Sequence, residues 1–155
     1  MATEIERKFL LASAAWRDEV VESRRIRQGY LSRGANAAIR IRISGEHAEL
    51  NIKSTRDGIH RLEFEYPVPL ADADELMTQV ALRPLIDKTR HIVRRAGHVW
   101  EIDEFHGENA GLIVAEIELG SADEVFDKPV WLGREVSEDP RYYNSSLSER
   151  PYSTW

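Results

Sequence analysis

Charged residues of one sign recur in this chain as pairs spaced two apart. Glu4-Ile5-Glu6, Arg40-Ile41-Arg42, Glu63-Phe64-Glu65, Lys88-Thr89-Arg90 and Glu116-Ile117-Glu118 each flank an apolar or neutral residue with like charges. Carboxylate oxygens are hard donors suited to Mg²⁺ or Mn²⁺. Guanidinium forks and ammonium groups suit phosphate oxygens. A surface shaped only for solubility usually intersperses its signs, and crowded carboxylates raise one another's pKa unless a cation sits between them. One face holding both kinds of pair has the chemistry to bind a metal–polyphosphate.

With Lys8, Lys53 and Asp103 added, the set is Glu4, Glu6, Glu63, Glu65, Asp103, Glu116 and Glu118 against Lys8, Arg40, Arg42, Lys53, Lys88 and Arg90, a net charge of −1. Two divalent cations bring it to about +3, close to neutralising a triphosphate of roughly −4 to −5. Unpaired buried charges cost several kcal/mol each, so this face must line water, outside or in a channel.

The elements that position these residues are read from the same alternation. Period two predicts strands over 4–9, 38–43, 62–66 and 116–119, with weaker ones near 24–32, 47–55, 85–95 and 98–105. Turn residues at Gly34, Gly45, Asp57-Gly58 and Ala96-Gly97 suit antiparallel hairpins. Helices are predicted from Ser13 as N-cap, over 72–81, and near 140–149. The sum is α+β, a mostly antiparallel sheet with a few helices, in one domain over 1–155. Alternation leaves the direction of the charged face open: it could be an ordinary wet exterior whose cross-strand pairs contribute a few tenths of a kcal/mol.

Composition narrows the classes. The 155 residues carry 21 Lys+Arg against 27 Asp+Glu, a net charge of −6, which argues against a nucleic-acid partner held by counterion release. Zero Cys excludes disulfides, thiolate nucleophiles and Cys-type zinc sites. No apolar stretch suits a membrane helix or secretory leader, so the expectation is a cytoplasmic protein without a membrane partner. The five His residues show no metal-ligand spacing, and no Gly-rich phosphate loop occurs. Trp16, Trp100 and Trp131 read as packing residues. Arg25 and Arg27 form a further doublet that could face either way.

Glu4-Ile5-Glu6-Arg7-Lys8 resembles the ExExK motif of the CYTH family, the adenylate cyclase–thiamine triphosphatase group of triphosphate tunnel metalloenzymes. The order of Arg40-x-Arg42, Lys53, Glu63-x-Glu65, Lys88-x-Arg90 and Glu116-x-Glu118 agrees, so the resemblance spans nearly the whole chain. It implies an eight-stranded antiparallel β-barrel whose lumen carries the charges, with helices outside and a C-terminal helix that closes one mouth. It further implies that Glu4, Glu6, Glu63, Glu65, Glu116 and Glu118 hold Mg²⁺ or Mn²⁺, with Asp103 or its neighbour Glu104 as an addition. Lys8, Arg40, Arg42, Lys53, Lys88 and Arg90 would grip the phosphates, and Lys8, Lys88 and Glu116 would act in catalysis. The implied activity is hydrolysis of a terminal phosphoryl group from a small-molecule triphosphate, inorganic triphosphate first, by a monomer or homodimer. Thiamine or nucleoside triphosphatase, an adenylate cyclase and a non-catalytic polyphosphate-binding module are the alternatives.

Overall fold

The described residues form nine strands: β1 (Thr3–Leu11), β2 (Val20–Arg33), β3 (Ala37–Ser44), β4 (His47–Ser54), β5 (His60–Pro67), β6 (Ile86–Arg95), β7 (His98–Phe105), β8 (Ile113–Glu118) and β9 (Leu132–Glu135). The structure, a computed structural model, describes residues 3–155. Strands β5, β4, β3, β2, β6, β7, β8 and β1 are hydrogen-bonded in that order, and β1 returns to β5. All of these pairings are antiparallel, so the eight strands close into a barrel. Closure runs through a divided β1: Thr3–Ile5 face β5, while Glu6–Leu10 face β8.

Local chemistry sets the turns. Ala96 and Gly97 both have positive φ (48° and 79°), the backbone twist that a two-residue hairpin between β6 and β7 requires. Strand β9 is not legible in the sequence, because four residues interrupted by Gly133 show no alternation. That glycine permits the pairing on β1, since a Cβ there would lie 2.8 Å from the carbonyl oxygen of Leu10.

Of the three predicted helices, two are present only in shortened form. The helix predicted over 72–81 is found as α1 (Leu70–Glu75) and the wider π-type turns Leu76–Val80, and it stops one residue before Ala81. The helix expected from Ser13 is a single 3-10 turn, Ala15–Glu19, because β2 begins at Val20. Ser13 Oγ accepts from the Ala15 amide at 3.3 Å and caps nothing longer. The C-terminal expectation resolves into a 3-10 turn, Pro140–Tyr142, and α2 (Asn144–Leu147). No helix among the described residues is long and apolar enough to cross a membrane.

The apolar core lies outside the barrel wall, under segments that cover it. Phe9, Trp100 and Ile117 pack with Trp16 and Trp131, and the Trp100 ring meets Trp131 and Phe9 edge-on at 5.7 and 5.8 Å. Ile41, Ile43 and Ala48 lie under Ala73 and Met77 of the helical segment 70–80. Ile86, Phe105 and Val114 lie under Tyr142 and Leu147 of the C-terminal segment. All three tryptophans expected to pack are buried.

Trp100→Ala should lower the unfolding free energy by about 3–5 kcal/mol in urea titration. Val99→Ala, on the same strand but 42% exposed, should change it by less than about 0.5 kcal/mol.

Candidate active site in the barrel lumen

Antiparallel register decides which side chains share the inner wall, since directly opposed residues point to one face. Lys8 opposes Glu116 and Glu6 opposes Glu118. Arg42 opposes Glu49, Lys53 opposes Glu63 and Arg90 opposes Asp103. The cavity inside the barrel has a volume of about 310 Å³ and is lined by eight glutamates and nine Lys or Arg residues. Twelve of the thirteen residues singled out in the sequence line it: Glu4, Glu6, Lys8, Arg40, Arg42, Lys53, Glu63, Glu65, Lys88, Arg90, Glu116 and Glu118. The charged face therefore points inward, which alternation alone left undecided.

Asp103 is set apart from the other twelve. It is fully buried and does not line the cavity. Its Oδ2 accepts from Lys88 Nζ at 2.7 Å and from Arg90 Nη2 at 2.9 Å, and its Oδ1 accepts from Arg90 Nε at 2.8 Å. Both oxygens fix the two bases Lys88 and Arg90. Glu104 is no substitute, because it sits outside the barrel with Arg17 and His91. Glu101, two residues before Asp103, reaches the lumen instead and accepts from Arg90 Nη1 at 3.0 Å.

Several lining residues were missed. Glu101-x-Asp103 and Glu49-x-Asn51-x-Lys53 carried the alternation that could have found them. Arg24 lines the cavity, whereas Arg25 and Arg27 point outward to Asp87 and Asp74. Arg61 donates to Glu4 Oε1 at 3.0 Å. Arg56 lies 3.5 Å from Glu6 and 4.7 Å over the Tyr143 ring. Tyr30 also lines the wall. Tyr143, Asn144 and Ser145 do so from the C-terminal segment, a placement no local pattern announces. His91, His98 and His106 bond to Ser23, Glu124 and Thr89, away from the lumen.

The electrostatics divide the carboxylates into two groups. Despite its burial, Glu116 is held well below the usual carboxylate range by Lys8, 3.7 Å away, and by Arg90 and Lys88. Lys53, 2.7 Å from Glu63, brings that group down to about 2 against the effect of burial. Glu6, in contrast, is pushed up to about 8 by burial and by Glu116 and Glu4, and it shares a hydrogen bond with Glu116. Glu65 is pushed up to about 7 by burial and its hydrogen bond with Glu63, and Glu118 is raised by burial and the Glu4 and Glu63 charges. Glu65 and Glu118 make no ion pair among the described residues.

Such crowding fits a divalent cation, because a proton now does part of the neutralising that a metal would do. Among the described residues no three acidic side chains converge at metal-ligand spacing. A cation would therefore have to draw the carboxylates closer together, Glu4, Glu6, Glu63 and Glu116 away from their present basic partners. On the basic side, burial lowers Lys88 to about 7, assisted by the Arg90 and Arg42 charges and opposed by Asp103.

The CYTH domain family matches residues 2–152. The chain is 41% identical over 155 residues to a protein of Acetivibrio thermocellus called inorganic triphosphatase, covering 100% of this chain and 99% of that one. It is 34% identical over 150 residues to a Nitrosomonas europaea protein of the same name, covering 94% and 97%. A crystal structure of an inorganic triphosphatase superposes with a TM-score of 0.70 at 33% identity, over 96% of this chain and 95% of that one.

Asp103→Asn should lower the unfolding free energy by about 3–5 kcal/mol, because it leaves Lys88 and Arg90 as under-compensated buried cations. Urea titration of variant and parent checks this.

Proposed function

The chain belongs to the CYTH family, and on that premise we propose that it hydrolyses the terminal phosphoryl group of inorganic triphosphate with Mg²⁺ or Mn²⁺. The observation that carries this reading is the inner wall itself: nine bases and eight carboxylates around a polar cavity of about 310 Å³. Lys8, Arg40, Arg42, Lys53, Lys88 and Arg90 would grip the phosphate oxygens, joined by Arg24, Arg56 and Arg61. Positioned cations of this kind stabilise charge on the transferring group, where phosphoryl transfer obtains most of its rate. Glu4, Glu6, Glu63, Glu65, Glu116 and Glu118 would hold the divalent cation. When bound, it supplies charge neutralisation on phosphate oxygens and lowers the pKa of a water.

Lys88 fits the proton-handling role. An amine brought to about 7 by burial exchanges its proton near neutral pH. It would accept a proton from the attacking water as the bond to the leaving pyrophosphate breaks. Lys8, paired with Glu116 and donating to the Tyr142 carbonyl at 3.1 Å, is fixed to stabilise charge on the substrate.

One observation favours a second reading. A recess of about 530 Å³, lined by Ile26, His47, Ala48 and Pro67, shares Arg24, Arg42, Glu49 and Glu65 with the lumen. It has room for an organic group attached to a triphosphate, so a nucleoside or thiamine triphosphate is the alternative substrate.

A phosphate-release panel of triphosphate, pyrophosphate, ATP and thiamine triphosphate with Mg²⁺ or Mn²⁺ tests both. Fastest orthophosphate release from inorganic triphosphate is the expected result, and pyrophosphate formed from ATP would indicate a cyclase instead. Lys88→Ala should reduce kcat by roughly 10²–10⁴. Ca²⁺ should compete with Mg²⁺ for the carboxylates yet support little turnover, because it accepts looser coordination. Binding a metal to Glu6 and Glu65 must displace the protons these groups hold below about 8 and 7. Mn²⁺ affinity should therefore rise from pH 6 to about 8.5, with protons released on binding, as calorimetry in buffers of different ionisation enthalpy would show.

A further inference from the structure

The C-terminal segment does more than cover the barrel where β2 ends and β6 begins. Lys88 Nζ donates to Asp103 Oδ2 at 2.7 Å and to Asn144 Oδ1 at 3.1 Å. The same Asn144 oxygen accepts from Gln28 Nε2 at 3.0 Å, and Gln28 Oε1 accepts from Arg42 Nε at 2.9 Å. This chain has only one polarity. Arg42 can only donate, so the Gln28 oxygen must face it, and the Gln28 amide nitrogen must face Asn144. Asn144 is thereby held with its oxygen toward Lys88. Its backbone is anchored by Tyr142 and Leu147, both buried in the core beneath this segment.

An sp³ amine nitrogen has three directions besides its bond to carbon. The geometry points to Asn144 as a positioning residue for Lys88: its amide oxygen and the Asp103 carboxylate occupy two of those directions and leave the third for the substrate. In the neutral amine that third direction is the lone pair, the form able to take a proton from water. Without Asn144, Asp103 alone would not fix rotation about the last side-chain bond, and the lone pair would be spread over several directions. This role rests on the triphosphatase reading above. Nothing in the sequence pattern of the doublets assigns it, because Asn144 lies 56 residues from Lys88.

The charged groups that act on the Lys88 amine are Asp103 from β7, Arg90 from its own strand, Arg42 from β3 and Glu116 from β8. The C-terminal segment and β2 present the neutral amides of Asn144 and Gln28. A charge introduced at 144 therefore reports directly on this contact.

The test compares the parent protein with Asn144→Ala and with Asn144→Asp, which keeps the side-chain shape. Steady-state hydrolysis of inorganic triphosphate across pH 5.5–9.5 is run beside competitive acetylation of Lys88 followed by mass spectrometry, which needs no turnover. Asn144→Ala should lower kcat about 10-fold while KM stays within about 2-fold. Asn144→Asp should move the acid limb of the kcat profile, and the pH of half-maximal Lys88 acetylation, upward by about one unit. Unchanged acetylation midpoints in both variants, or a loss confined to KM, would overturn the proposal. A parent protein that releases no phosphate from triphosphate would refute the hydrolase reading, while the acetylation midpoints would still decide whether Asn144 governs the Lys88 amine.

Discussion

The structure depends on one constraint: a barrel interior full of like-charged doublets is tolerable only if closure brings opposite charges across from them. Charges removed from water without partners cost several kcal/mol each. The register meets this demand strand by strand, with Lys8 facing Glu116, Lys53 facing Glu63 and Arg90 facing Asp103. Where it does not, at Glu6 opposite Glu118, burial and neighbouring carboxylates push Glu6 up to about 8 and also raise Glu118. One uncompensated part of the wall is thus acidic, the condition a divalent cation relieves, and another is basic, where burial beside Arg40 and Arg90 lowers Arg42 to about 9.

Putting charge inside forces the apolar residues outside, and this explains the rest of the architecture. Each strand's outward face would be an exposed hydrophobic surface if left bare. The segments around Trp16 and Trp131, the helical stretch 70–80 and the C-terminal turns cover three parts of it. These covers are short because each needs only to span a few strands. Apart from the stretch 70–80, these covers were among the least legible parts of the sequence. Five residues around Trp16 and four in α2 are too few to show helical periodicity.

The strands and most of the inner wall were legible because alternation is a strong local signal, and Glu4-x-Glu6-x-Lys8 or Arg40-x-Arg42 advertise a shared face. What alternation could not supply was closure, which decides inward from outward and settles register between neighbours. Asp103 shows the difference. Its type and spacing match a metal ligand, yet its depth places both oxygens against Lys88 and Arg90, and Glu101 occupies the wetter position two residues earlier. Among Arg24, Arg25 and Arg27, sequence offered no means of choosing the one that faces the lumen. The contribution of Asn144 was invisible for a different reason, since it arises from a segment docked long after the strands in chain order.

That docking changes how the C-terminal segment is to be understood. A stopper needs only to fill space, and an apolar plug would do so without ordering charged groups. Here the Tyr142 carbonyl accepts from Lys8, the Tyr143 ring lies beneath Arg56, and the Asn144 oxygen accepts from Lys88. Three cations from β1, the β4–β5 loop and β6 are each met by a different consecutive residue. A free ammonium on a four-carbon stem loses about 2 kcal/mol of rotamer entropy when fixed, and preorganised charge is the main source of catalysis in phosphoryl transfer. The segment therefore bears part of the ordering cost before any substrate arrives, as a fourth side of the site's wall.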